Sequence, residues 1–187
     1  KSFPGSTPAF VSITVEPSGK AEFREAPDEE NPLKFELEAA EVKEIFDLAE
    51  RLGRFTRPLE AELKVKVANM GIKTFRFEDG ATRHEVKFNY TIEPDARALA
   101  DWFERITETE LHLIALERTA RFDKLGVYQT LLQLEAAWDR KRIVAPRQFL
   151  AMLERIQRNE SYVRVARDRA AALAEAFRAA SGGKAGE

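Results

Sequence analysis

The chain has 187 residues, 44% of them hydrophobic and 33% charged, with 30 Lys and Arg against 32 Asp and Glu. This is the balance of a globular chain, outside the disordered and fibrous classes, and no apolar run approaches the roughly 20 residues of a membrane helix. The absence of Cys removes disulfide scaffolds, thiolate metal sites and cysteine nucleophiles together, and a net charge of −2 argues against a dedicated nucleic-acid binder.

Composition changes near Ile106. Residues 1–105 carry 16 basic against 21 acidic side chains, whereas the remainder carries 14 against 11. Gly, Pro and Phe punctuate the first part, while Ala, Leu and Arg dominate the second, a shift from sheet-forming to helix-forming sequence.

In the first part Val11, Ile13 and Val15 alternate with polar residues, the period of a half-buried strand. The turn Pro17-Ser18-Gly19 leads into Ala21 and Phe23, and beyond the acidic loop Asp28-Glu29-Glu30 a third alternation runs through Leu33, Phe35 and Leu37. Val42, Ile45, Phe46, Ala49 and Leu52 then recur at helical spacing, predicting a helix over Ala39–Leu52 that ends at Gly53. The plan repeats: Leu63, Val65 and Val67 alternate with Lys64 and Lys66. Phe75 and Phe77 then approach Asp79-Gly80, the strongest hairpin signal in the chain. A loop made of Asp79 and Gly80 pairs Phe77 with Thr82, Phe75 with His84 and Lys73 with Val86. It leaves Arg76, Arg83, Glu85 and Lys87 on the outward face. Pro94 opens a second helix to Ile106, with Leu99, Trp102 and Phe103 on its stripe. The expected fold is therefore α+β: a mainly antiparallel sheet of five or six strands over residues 1–106 with both helices on one face. It reads as a strand-strand-strand-helix unit performed twice.

From Thr107 to 181 the reading is an antiparallel helical bundle packed on that module, with Trp102 and Phe103 contributing to a shared core. Thr107-Glu108-Thr109-Glu110 fits a capping box that starts a new helix or kinks a long one. Asp123 caps a helix carrying Leu125, Leu131, Leu134 and Trp138. Pro146 starts another with Phe149, Leu153 and Ile156, and Asn159 or Ser161 caps a last one with Val163, Ala166, Ala170, Leu173 and Phe177. Residues 182–187 form a disordered tail.

The chemistry-bearing inventory is sparse. His84 lies on the inner face of the hairpin, and His112 stands four residues after Glu108, an ion-pair spacing with too few ligands for zinc. No nucleophile elbow, phosphate loop or dinucleotide fingerprint is present, so no catalytic residue, metal site or cofactor is expected. The leading expectation is a non-enzymatic binding or scaffold module whose partner is another protein. It is engaged by the sheet face around Arg76 and Tyr90 or, failing that, by the basic helices around Arg140, Lys141, Arg142 and Arg147. One alternative is a carboxylate-based hydrolase with a cleft between sheet and bundle. Another is anion or nucleic-acid binding by the same basic helices. A start at Lys1 rather than Met fits a periplasmic or secreted chain whose leader has been removed, the cytoplasm being the alternative.

Overall fold

The computed structural model describes residues 1–62 and 67–182. The chain divides into two units, Lys1–Glu104 and Arg105–Glu187. Its content is α+β, with five α-helices and two small antiparallel sheets among the described residues. No helix there is long and apolar enough to cross a membrane.

In the first unit β1 (Ser12–Val15), β2 (Lys20–Arg24) and β3 (Leu33–Glu36) form a three-stranded antiparallel meander. Ile13 faces Phe23, and Ala21 faces Phe35, placing the apolar residues of successive strands side by side. The β1–β2 turn needs Gly19, whose φ is +93°; the turn also lies so close to the chain after β3 that a Cβ would stand 2.9 Å from the Leu37 carbonyl oxygen. Helix α1 (Ala39–Arg51) follows, its start secured by a capping box between Glu38 and Glu41. Val42, Ile45, Leu48 and Ala49 are its buried face. It ends in three successive left-handed residues, Gly53, Arg54 and Phe55, a conformation that costs a side chain about 1–2 kcal/mol. That cost is offset by burying Phe55 in an aromatic cluster: its ring lies 5.3 Å from Phe75, which in turn lies 5.0 Å from Phe88 and 5.9 Å from Phe103.

Strands β4 (Lys73–Asp79) and β5 (Thr82–Phe88) form a separate two-stranded hairpin. The expectation of one sheet of five or six strands is thus overturned, and with it the picture of two helices on one sheet face. Alternation tells which residues point inward but not which strand edges meet. Here the chain joining the two sheets is reduced to Ser2, which makes single antiparallel bridges to Phe10 and to Ile72. One residue is too short to extend a ladder. The strand read at Leu63–Val67 falls largely on residues 63–66, including Lys64 and Lys66, which lie outside the described residues; Val67 itself is in no strand.

The hairpin register also differs from expectation. Asp79 pairs with Thr82, Phe77 with His84 and Phe75 with Val86, because the loop is Gly80-Ala81 rather than Asp79-Gly80. Gly80 takes the positive φ, as the first loop residue of a type II′ turn does. The register moves by two residues, which preserves the faces: Phe75 and Phe88 are buried and Arg76, Glu78, Arg83, Glu85 and Lys87 are exposed.

Helix α2 (Pro94–Phe122) is one uninterrupted helix of 29 residues, so Thr107 starts no new one. Leu99, Trp102, Ile106, Leu113, Leu116 and Ala120 continue the same buried stripe straight through the motif. The nearby Thr109 hydroxyl donates to the Arg105 carbonyl one turn back, 2.8 Å away. In the second unit α3 (Val127–Asp139), a 3₁₀ turn at Pro146–Phe149, α4 (Leu150–Arg158) and α5 (Arg164–Gly182) complete the helices. Phe177 centres their core, with its ring 4.9 Å from Trp138 and 5.7 Å from Phe149. Two expected caps are replaced. Asp123 accepts from the Gly126 amide (2.9 Å) and closes the turn before α3, leaving Leu125 outside the helix. Asn159 likewise accepts from Ser161 (2.9 Å) rather than capping α5. Gly182 belongs to α5, and residues 183–187 of the expected tail lie outside the described residues.

Candidate protein-binding surface

On the hairpin's outer face Arg76 donates two hydrogen bonds to Glu85 Oε2, at 2.9 and 2.7 Å, and faces it directly in the register. Arg83 lies 3.3 Å from Glu78, and Lys87 lies 3.4 Å from Glu85. The Arg76 pair holds the Glu85 carboxyl below its ordinary value. Tyr90 lies just beyond β5 and is exposed, while its backbone amide donates to Glu60 (3.2 Å). His84 Nδ1 lies 3.2 Å from the Arg54 carbonyl; a carbonyl only accepts, so this ring nitrogen carries the proton.

Arg140, Lys141, Arg142 and Arg147 come together around the connection from α3 to Pro146, but their charges are committed. Arg142 donates to Glu108 at 2.8 Å, and Arg140 approaches the same carboxylate at 3.6 Å. Burial lowers the His112 pKa below its ordinary value, while the charge of Glu108, itself hydrogen-bonded to Arg142, also acts on His112 and favours the protonated ring. Lys141, left-handed at φ +60°, places its ammonium 5.7 Å from the Trp138 ring. Arg147 donates to the Ser181 carbonyl (3.1 Å). The intervening Ile143, Val144 and Ala145 are buried. A buried loop must find partners for its backbone, and the Val144 amide finds the Thr109 hydroxyl at 3.0 Å.

Beside this loop lies a group that sequence reasoning assigned to a cap. Glu110 is completely buried and accepts one hydrogen bond, from Gln148 Nε2 at 3.1 Å. Desolvation raises its pKa to about 7, Gln148 opposes that rise, and Glu117 adds to it. Glu110 Oε2 and Gln148 Oε1 are both buried without a partner. Protonation makes Oε2 a donor, which is what the amide oxygen lacks.

A shallow concavity lies elsewhere in the helical unit. Glu117, Ala120 and Arg121 lie on one face of α2 and Lys124 in the turn that follows it, while Met152 and Arg155 lie on α4 and Asn159 just past its end. Between them lies a groove of about 590 Å³, with Tyr162 as the remaining lining residue. Tyr162 is buried, and its hydroxyl donates to the Ala120 carbonyl (2.9 Å), which ties the α4–α5 connection to the end of α2. The lining holds three cations and a single carboxylate, Glu117. None of the three cations forms a salt bridge among the described residues. Instead the Lys124 ammonium stands 6.0 Å from the Tyr162 ring, Arg155 donates to Met152 Sδ, and the Arg121 guanidinium lies 5.1 Å from the Phe122 ring.

Large apolar side chains follow these groove residues in the chain and remain in water. Phe122, next to Arg121, is 74% exposed, and Leu125, next to Lys124, is 80% exposed. Val163, next to Tyr162, is also exposed. The Asp123–Gly126 turn leaves Leu125 outside both flanking helices. Phe122, Leu125 and Val163 are thus exposed apolar residues that follow groove-lining residues in the chain. Sequence periodicity missed this surface because Phe122 and Leu125 fit helical stripes. The one available signal was their position, at the end of α2 and in a turn.

Among the described residues no three His, Asp or Glu side chains gather where they could hold a metal ion. Set against known proteins, the chain matches no family model, no curated sequence and no solved structure.

Proposed function

We propose that this chain is a non-enzymatic binding module that engages another protein at the groove between the end of α2 and α4. The observation that carries the reading is a cation-lined groove whose lining residues Arg121 and Lys124 are followed in the chain by the exposed Phe122 and Leu125. A hydrolase built on paired carboxylates has less support, since the groove offers Glu117 alone. Anion capture by Arg140 and Arg142 competes with the Glu108 carboxylate they already share.

Panning a display library of short random peptides against the whole chain tests the reading. Enriched peptides, made synthetically, are expected to bind about tenfold more weakly to a Phe122→Ser/Leu125→Ser variant, the loss of one anchor's worth of contact. Both side chains are exposed, so circular dichroism of the variant should match the parent. Failure to enrich any peptide, or equal binding to both proteins, would overturn it.

A further inference from the structure

We infer that the segment received by this groove is acidic and amphipathic, carrying Glu or Asp next to bulky apolar side chains; this rests on the protein-binding reading above. In the helical unit Arg140 and Arg142 meet Glu108, Arg158 and Arg178 meet Glu154, Arg164 meets Asp168, and Arg169 meets Glu135. Among the described residues Arg121, Lys124 and Arg155, which line one concavity with Glu117, form no salt bridge.

The chain order supplies the pattern of the ligand. Arg121-Phe122 and Lys124-Leu125 are two consecutive cation–apolar couplets, separated by Asp123, whose carboxylate is occupied by the Gly126 amide. A segment that covers Phe122 and Leu125 therefore brings its own side chains beside Arg121 and Lys124. Exposed ion pairs are individually weak, so covering the apolar pair supplies most of the affinity. The charges choose among partners by repelling basic segments and steering acidic ones. Tyr162 and Met152 complete the groove with a rigid amphipathic ring and an adaptable thioether, surfaces that accept an apolar side chain without a fixed shape.

The test uses three fluorescein-labelled peptides with identical Leu and Phe positions whose remaining positions are Glu, Ser or Lys. Fluorescence anisotropy with the full chain is expected to show the Glu peptide binding about tenfold tighter than the Ser peptide, with the Lys peptide weakest. Raising salt to about 1 M should collapse the difference, since exposed charges are then screened within about 3 Å. An Arg121→Glu/Lys124→Glu/Arg155→Glu variant should invert the order. Equal or tighter binding of the Ser or Lys peptide to the parent overturns the inference. So does a polyglutamate without apolar residues, or a DNA duplex, that binds as tightly as the Glu peptide, because either reveals a plain anion site. A parent chain whose self-association is abolished by the variant also overturns it, since the occupant is then a second copy. If the Glu peptide fails while panned peptides still require Phe122 and Leu125, only the acidic chemistry is lost. If nothing requires those two residues, the protein-binding reading falls as well.

Discussion

The hairpin of the first unit and the helices of the second treat charge in opposite ways. Every charged side chain on the hairpin's outer face, from Arg76 to Lys87, has an opposite charge within salt-bridge distance and stands in water. The helical unit instead encloses Glu110 with a single hydrogen bond and, among the described residues, leaves Arg121, Lys124 and Arg155 of the α2–α4 groove without a salt bridge. The difference follows from geometry. A strand gives alternate residues to solvent, so opposite charges find one another across the ladder at little desolvation cost. A helix of the bundle buries one stripe, and a polar residue on that stripe is either satisfied by a neighbouring helix or left wanting. Charge in the hairpin is thus nearly neutral for stability, whereas charge in the helical unit carries consequences.

Substitutions can break or sharpen this contrast. The largest effect is expected from Phe177→Ala, which empties the site between Trp138 and Phe149 and should cost about 4 kcal/mol of unfolding free energy in urea. A loss under 1 kcal/mol would show that the packing of Phe177 against Trp138 and Phe149 is looser than described.

Next comes Glu110. Its folded pKa, about 7, lies above the ordinary 4.5, so between these values the folded state holds the extra proton. The contribution of Glu110 to stability is full below pH 4.5, declines as pH rises through 7, and is level above. The span corresponds to about 3 kcal/mol. Glu110→Gln should remove that decline and be the more stable protein at pH 8, while resembling the parent near pH 4. Parallel pH profiles for parent and variant would sink this assignment.

Gly19→Ala should cost about 2 kcal/mol by forcing a Cβ into a positive-φ position and against the Leu37 carbonyl, 2.9 Å away. Thermal melts that leave the variant unchanged would show that the β1–β2 turn relaxes freely. The smallest effect is expected from the Arg76–Glu85 pair. A double-mutant cycle with alanine should give a coupling below the other three effects, vanishing near 1 M salt. A coupling that persists in salt would place this pair in the same class as the buried groups and erase the contrast.

How far the sequence could be read follows the same division. The hairpin's inner and outer faces were legible from parity, and stayed correct despite a register error of two residues, because a strand repeats every two. The buried stripes of α1, α5 and the first half of α2 were legible from spacing; in the second half of α2 the spacing misled, since Phe122 fits a helical stripe yet is exposed. The partition into two sheets was not, since no local pattern records that Ser2 alone bridges Phe10 and Ile72. Nor was the fate of Thr107-Glu108-Thr109-Glu110: a capping box and a mid-helix turn have the same letters, and only the unbroken stripe on either side separates them. The groove joins Arg121 and Lys124 to Arg155 across some thirty residues of chain, a proximity created by helix packing and absent from any window.

The hydroxyl of Thr109 gives the α3–α4 connection an unusual standing. It donates to the Arg105 carbonyl while accepting from the Val144 amide, so one side chain ties a loop proton to the interior of a helix. In deuterated solvent that amide exchanges only when the loop lifts off α2, and, with Val144 fully buried, it should exchange slowly. By this measure of opening, residues 143–145 belong to the core, although they form neither helix nor strand.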